Sequence, residues 1–84
     1  MGNDEFLNLA SSEVRKYVNK HNPKSEVEIF DIYVCWICKT LQNNKALLST
    51  KLSYGMYFEC TYNGDKKEMY LDAYKKEKNV CIKL

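Results

Sequence analysis

Met56-Tyr-Phe-Glu-Cys-Thr-Tyr-Asn-Gly-Asp-Lys-Lys-Glu-Met-Tyr-Leu71 is the stretch that decides the fold of this chain. Two runs of alternating character flank Asn63-Gly64, the strongest short hairpin signal in the sequence, because both turn residues accept a positive φ at low cost. A two-residue loop there pairs Phe58 with Met69 and Met56 with Leu71, so the apolar phase of one strand meets the apolar phase of the next. The same register sets Tyr57 opposite Tyr70 and Glu59 opposite Glu68 on the other face. Directly opposed like charges cost roughly a few tenths of a kcal/mol, which predicts that both glutamates face solvent beside a lysine.

Upstream of the hairpin, Ala46 to Leu52 alternates in phase, and Tyr54-Gly55 separates it from Met56. Gln42-Asn43-Asn44-Lys45 reads as the turn before it. Val27 to Leu41 is dense in β-branched and aromatic residues and reads as the longest strand. Phe30, Ile32, Val34, Trp36 and Cys38 share one alternation face, while Ile29, Tyr33, Cys35 and Ile37 occupy the other. Apolar character on both faces predicts a central position in the sheet. At the far end, Val80, Ile82 and Leu84 predict a short closing strand after the charged turn from Lys75 to Lys78.

The first segment has a different period. Phe6, Ala10, Val14, Tyr17 and Val18 recur at helical spacing between Asn3 and His21, with Leu7 and Leu9 flanking the stripe. Asn3 or Asp4 can cap the start, Asp4 and Glu5 suit its positive end, and Lys16, Lys20 and His21 suit its negative end. Asn22-Pro23 stops the helix. The expected architecture is α+β: one N-terminal helix packed on one face of a four- to five-stranded antiparallel meander, a two-layer solution. At 84 residues the whole chain, 1–84, is expected to form one domain.

Composition excludes more than it assigns. Hydrophobic residues make up 45% and charged residues 29% of the chain, the balance of a globular protein. The net charge is only +2, and Arg15 is the lone arginine among 13 cationic residues, so the bidentate forks that read bases and phosphates are lacking. No run approaches the roughly 20 apolar residues of a membrane span, and the acidic Met1-Gly-Asn-Asp-Glu5 is unlike a basic signal-peptide start; the expected location is the cytoplasm, with no membrane partner. Phe6 stands where N-myristoylation of Gly2 wants Ser or Thr. In that compartment the four cysteines are expected to be reduced thiols, most of them packing residues.

No catalytic constellation emerges. Cys35-Trp-Ile-Cys38 has Cys-x-x-Cys spacing, but it lies in a strand, where residues three apart point to opposite faces unless a bulge intervenes. A zinc site from Cys35, Cys38, Cys60 and Cys81 lacks a second knuckle. His21, the one histidine, sits at a helix end, and the three glycines form no phosphate loop. Neither an enzyme activity nor a cofactor or metal is expected. The compositional excess is aromatic, seven tyrosines plus Trp36. Tyr57, Tyr70 and Tyr74 share the face away from the expected core, with Tyr33 in reach, and such a row binds a protein, stacks single-stranded bases, or only stabilises an exposed sheet through cross-strand pairs. Glu59, Glu68 and Asp72 share that face, which favours a protein partner or a second copy over nucleic acid. Gln42, Asn43, Asn44 and Lys45 form a second candidate surface.

Two segments, Thr40-Leu-Gln-Asn-Asn-Lys-Ala-Leu-Leu-Ser-Thr50 and Tyr62-Asn-Gly-Asp-Lys-Lys-Glu-Met-Tyr-Leu-Asp-Ala-Tyr-Lys-Lys76, resemble a family of small uncharacterised proteins encoded in phages and prophages of Gram-positive bacteria. The resemblance extends over nearly the whole chain. It implies an intracellular protein of phage origin that binds a host or phage protein, and it brings no catalytic residue or cofactor. The leading expectation is therefore a non-catalytic protein-binding module; the alternative is a single-stranded nucleic-acid binder edged by Lys66, Lys67, Lys75, Lys76 and Lys78.

Overall fold

The computed structural model describes residues 1–22, 26–51 and 56–84; the expected stop at Pro23, the end of the second strand at Leu52 and the break at Tyr54-Gly55 lie outside the described residues. Helix α1 spans Asn3–His21, a 3₁₀ turn Ile29–Asp31, and four strands follow: β1 Ile32–Thr40, β2 Asn43–Thr50, β3 Met56–Asn63 and β4 Glu68–Lys75. The strands form one antiparallel sheet in the order β1-β2-β3-β4. The helix lies across one face, and the other carries exposed side chains from β1 and β4.

Helix α1 buries Phe6, Ala10, Val14 and Val18, one residue per turn. The capping residue is Gly2 rather than Asn3 or Asp4, with no side-chain cap, while Asp4 and Glu5 occupy the first turn and Lys20 and His21 the last. At the far end Asn22 donates from both its backbone and its side chain to the Val18 carbonyl. The helix stripe meets Ala46, Leu48, Phe58 and Cys60 from β2 and β3, and Ile32, Ile37, Met56, Tyr62, Met69 and Leu71 pack around them. Val27 closes the core below the helix. The Asn19 amide accepts from the Val27 N–H at 2.7 Å and donates to its carbonyl at 3.1 Å, and Arg15 Nε donates to the same carbonyl at 3.1 Å. The lone arginine thus holds a loop in place.

The β3–β4 hairpin differs from the expected two-residue loop. Asn63 pairs with Glu68, leaving Gly64–Lys67 as a four-residue connection. The Asn63 side chain accepts from the N–H groups of Asp65 and Lys66, so it organises the loop as an Asx turn instead of taking a positive φ itself, and Lys67 adopts the left-handed conformation. Gly64 is pressed against the neighbouring hairpin. A Cβ there would stand 2.3 Å from the Gln42 carbonyl oxygen, so the position needs glycine for close approach. Tyr57 consequently faces Tyr74, Thr61 faces Tyr70, and Glu59 faces Asp72, replacing the expected Tyr57–Tyr70 and Glu59–Glu68 pairs. The shift is even, so every side chain keeps its expected face.

The true two-residue turn is Leu41-Gln42, closed by the Thr40–Asn43 pair, with Leu41 at φ 54°. Asn43, Asn44 and Lys45 therefore belong to β2 and not to a turn. Asn44 is 1% exposed on the helix side, which corrects its place in an exposed candidate surface: its phase matches Ala46 and Leu48. Among the described residues, neither Asn44 side-chain atom has a hydrogen-bond partner. A buried amide left unpaired costs about 1–3 kcal/mol, and β-branched residues suit a central strand. Asn44→Val should therefore raise the urea midpoint by the equivalent of about 1 kcal/mol or more; a lowered midpoint would show that the amide makes contacts worth keeping.

Strand β1 departs most from expectation. It begins at Ile32, because Glu28 and Asp31 cap the preceding 3₁₀ turn reciprocally, and it lies at the sheet edge rather than in the centre. A bulge falls between Val34 and Trp36. Ile32 and Val34 share the face of Thr50 and Leu48, but beyond the extra residue it is Ile37 that pairs with the buried Ala46, and Trp36 pairs with Leu47. The bulge moves Trp36 and Cys38 off the core face. No closing strand forms: residues 76–84 are neither helix nor strand.

Candidate functional site

The open face of the sheet is assembled from every strand. Tyr33, Trp36 and Cys38 come from β1, Lys45 and Leu47 from β2, Tyr57, Glu59 and Thr61 from β3, and Tyr70, Asp72 and Tyr74 from β4, as the pairing registers dictate. Tyr57 and Tyr74 lie side by side, and Tyr70 lies two positions along the same face of β4, with Asp72 between the two tyrosines. Tyr33, Trp36, Tyr70 and Tyr74 are exposed, whereas Tyr57 and Leu47 are half-buried. Tyr33 pairs with Ser49 on β1, two strands from Tyr57, so it joins Trp36 and not the tyrosine row.

Charge on this face leans negative. Lys45 Nζ lies 3.5 Å from Glu59, the lysine expected beside that glutamate, and Asp72 and Glu68 complete the acidic set. The Tyr70 hydroxyl donates to Glu68 Oε2, and that bond, reinforced by the carboxylate charge, raises the phenol above its ordinary pKa. The Tyr70 proton is thus committed to Glu68, and the phenol oxygen is left to accept. Of the second candidate surface, Gln42 is exposed at the turn, Asn43 accepts from the Gly64 N–H, and Lys45 serves the ion pair. Cys38, Thr40, Asn43, Lys45 and Thr61 border a shallow pocket of about 270 Å³.

Trp36 was not legible as a member of this face, because strict alternation carried through Cys35 places it in the core; only the bulge exposes it. The cysteines also divide otherwise than expected. Cys60 alone is a packing residue, and Cys35, Cys38 and Cys81 are exposed free thiols. Burial, then the charges of Glu13, Asp72 and Glu59, push the Cys60 thiol up to about 12, which leaves it protonated and unreactive. His21 stacks on Tyr17 with ring centroids 4.2 Å apart, and its Nδ1 lies 2.9 Å from the Tyr17 carbonyl oxygen, a helix-end role. Among the described residues no three His, Cys, Asp or Glu side chains group so as to hold a metal ion, and no helix is long and apolar enough to cross a membrane.

Chemically, the face offers aromatic surface, hydrogen-bonding phenols and fixed negative charge. Residues 7–84 match the model of a family described as a family of unknown function, DUF6275. No curated protein and no solved structure matches the chain.

Proposed function

Because the chain belongs to this family of unknown function, its role has to be read from the open face, and we propose that it is a non-catalytic protein-binding module of phage or prophage origin acting in the bacterial cytoplasm. The observation that carries this reading is the aromatic row Tyr57–Tyr74–Tyr70, with Trp36 across the sheet, on a face that the helix leaves uncovered. Tyrosine and tryptophan supply large contact area with few rotamers to freeze, and they dominate the energetic centres of protein interfaces. Glu59, Glu68 and Asp72 outnumber Lys45 on this face, which selects a partner with a basic surface.

The same charges weigh against single-stranded nucleic acid, the alternative, since base stacking works alongside a cationic groove. Capture by a tagged copy from nuclease-treated bacterial lysate should recover a stoichiometric protein. Tyr57→Ala combined with Tyr74→Ala should abolish that capture, each truncated anchor costing about 2 kcal/mol or more, while circular dichroism stays unchanged. Undiminished capture by the folded double variant would remove the tyrosine row from the interface. Nuclease-sensitive recovery that falls steeply with salt would support the nucleic-acid alternative instead.

A further inference from the structure

Ile32-Tyr-Val-Cys-Trp-Ile-Cys38 is seven residues without a charge, and it forms the outer edge of the sheet. A long apolar edge strand with unpaired backbone groups is what native sheets normally protect against, by charges, proline, a covering element or a bulge. Here the bulge at Cys35 is the one such device on this stretch. The opposite edge, β4, carries Glu68, Asp72 and Lys75 along its length. Beside the start of β1, Phe30 is 76% exposed, with Ile29 and Val34 also exposed, so the apolar layer on the helix side ends without cover.

The end of the chain has the complementary deficit. Residues 79–84, Asn-Val-Cys-Ile-Lys-Leu, alternate as a strand does, yet they join no strand among the described residues: Val80 is 61% exposed, Ile82 76%, and Leu84 fully exposed. The radius of gyration, 13.9 Å, exceeds the roughly 12 Å of a compact chain of this length, in keeping with a segment reaching outward. That segment leaves from β4, three strand spacings or about 14 Å from β1 of its own copy, and the three residues 76–78 that join Lys75 to Asn79 reach at most about 14 Å, with no slack to turn and pair.

We propose that residues 79–84 of one copy add as a strand to the β1 edge of a second copy, and that reciprocal exchange closes a twofold dimer. Val80, Ile82 and Leu84 then cover the Ile29–Phe30–Val34 step, and β1 becomes the interior strand that its two apolar faces describe. Each added strand is about 20 Å long, and the two exchanges together bury on the order of 1,000 Å², the threshold of a specific interface.

The test is the mass of the full chain in solution by light scattering, beside a variant lacking residues 79–84 and beside Ile82→Lys, which keeps the chain length. The wild type should be a dimer, and both variants should dissociate at least about tenfold more readily with unchanged circular dichroism. A short bismaleimide should link Cys81 of one copy to Cys35 or Cys38 of the other. A monomeric wild type at every concentration overturns the proposal. So does a dimer that survives the deletion and links Cys35 to Cys35, and so does a ladder of linked species longer than two.

Discussion

Phe58→Ala should lower stability by about 3–5 kcal/mol, a large share of a total on the order of 4–13 kcal/mol for a chain of this length. Phe58 is 2% exposed at the middle of β3, where it faces Leu48 on one side and Ala73 on the other. From the helix, Tyr17 meets it edge-on with ring centroids 5.7 Å apart at 63°. The substitution removes the largest fully buried side chain that the sheet sets beneath α1 and leaves a space that a helix tied to Val27 through Arg15 and Asn19 does not readily fill. Part of the loss is the aromatic pair, about 0.5–1.5 kcal/mol beyond area burial. Tyr74→Ala, on the open face, should cost much less. Equal urea midpoints for the two variants would contradict the placement of the helix over β3.

Alkaline pH should destabilise the fold through one thiol. Burial, with added repulsion from Glu13, Asp72 and Glu59, raises Cys60 from 9.0 to about 12. Above pH 9 the unfolded chain releases this proton while the folded chain keeps it, so stability falls as pH rises. The contribution is complete below pH 9 and is lost progressively toward pH 12. At about 1.4 kcal/mol per unit, the loss between pH 9 and 11 is roughly 2–3 kcal/mol. Lysines and tyrosines titrate in the same window, so the measurement is the wild-type slope minus that of Cys60→Ala, taken from urea unfolding at each pH. Parallel slopes would mean that water reaches Cys60 in the folded state.

Both predictions concern residues whose burial was readable in advance, since Phe58 and Cys60 sit in the apolar phase of β3 and that phase matches β4. The helix from Asn3 to His21 and the runs that form the four strands were equally legible, because 3.6- and 2-residue periods are written locally. Even the misplaced hairpin register left the tyrosine row on its correct face, since it slipped by an even number of residues. Local pattern thus determined which residues α1 buries, which faces β2 to β4 present, and that Tyr57, Tyr70 and Tyr74 stand together away from the helix.

Other features were decided only when distant segments met. The hairpin loop runs over four residues with Asn63 bonded to Asp65 and Lys66, and Gly64 lies against the Leu41-Gln42 turn, a contact between segments distant in the sequence. Asn44 reads as a turn residue on its own, yet it is carried inward because β2 starts at Asn43, three residues before the expected Ala46. The bulge that brings Trp36 to the open face leaves no mark in the alternation of Val34-Cys-Trp-Ile37, because an extra residue becomes visible only against the partner strand. The edge position of β1 has the same origin. A strand apolar on both faces states that it needs neighbours, while how many it finds depends on strand order, which no local period encodes.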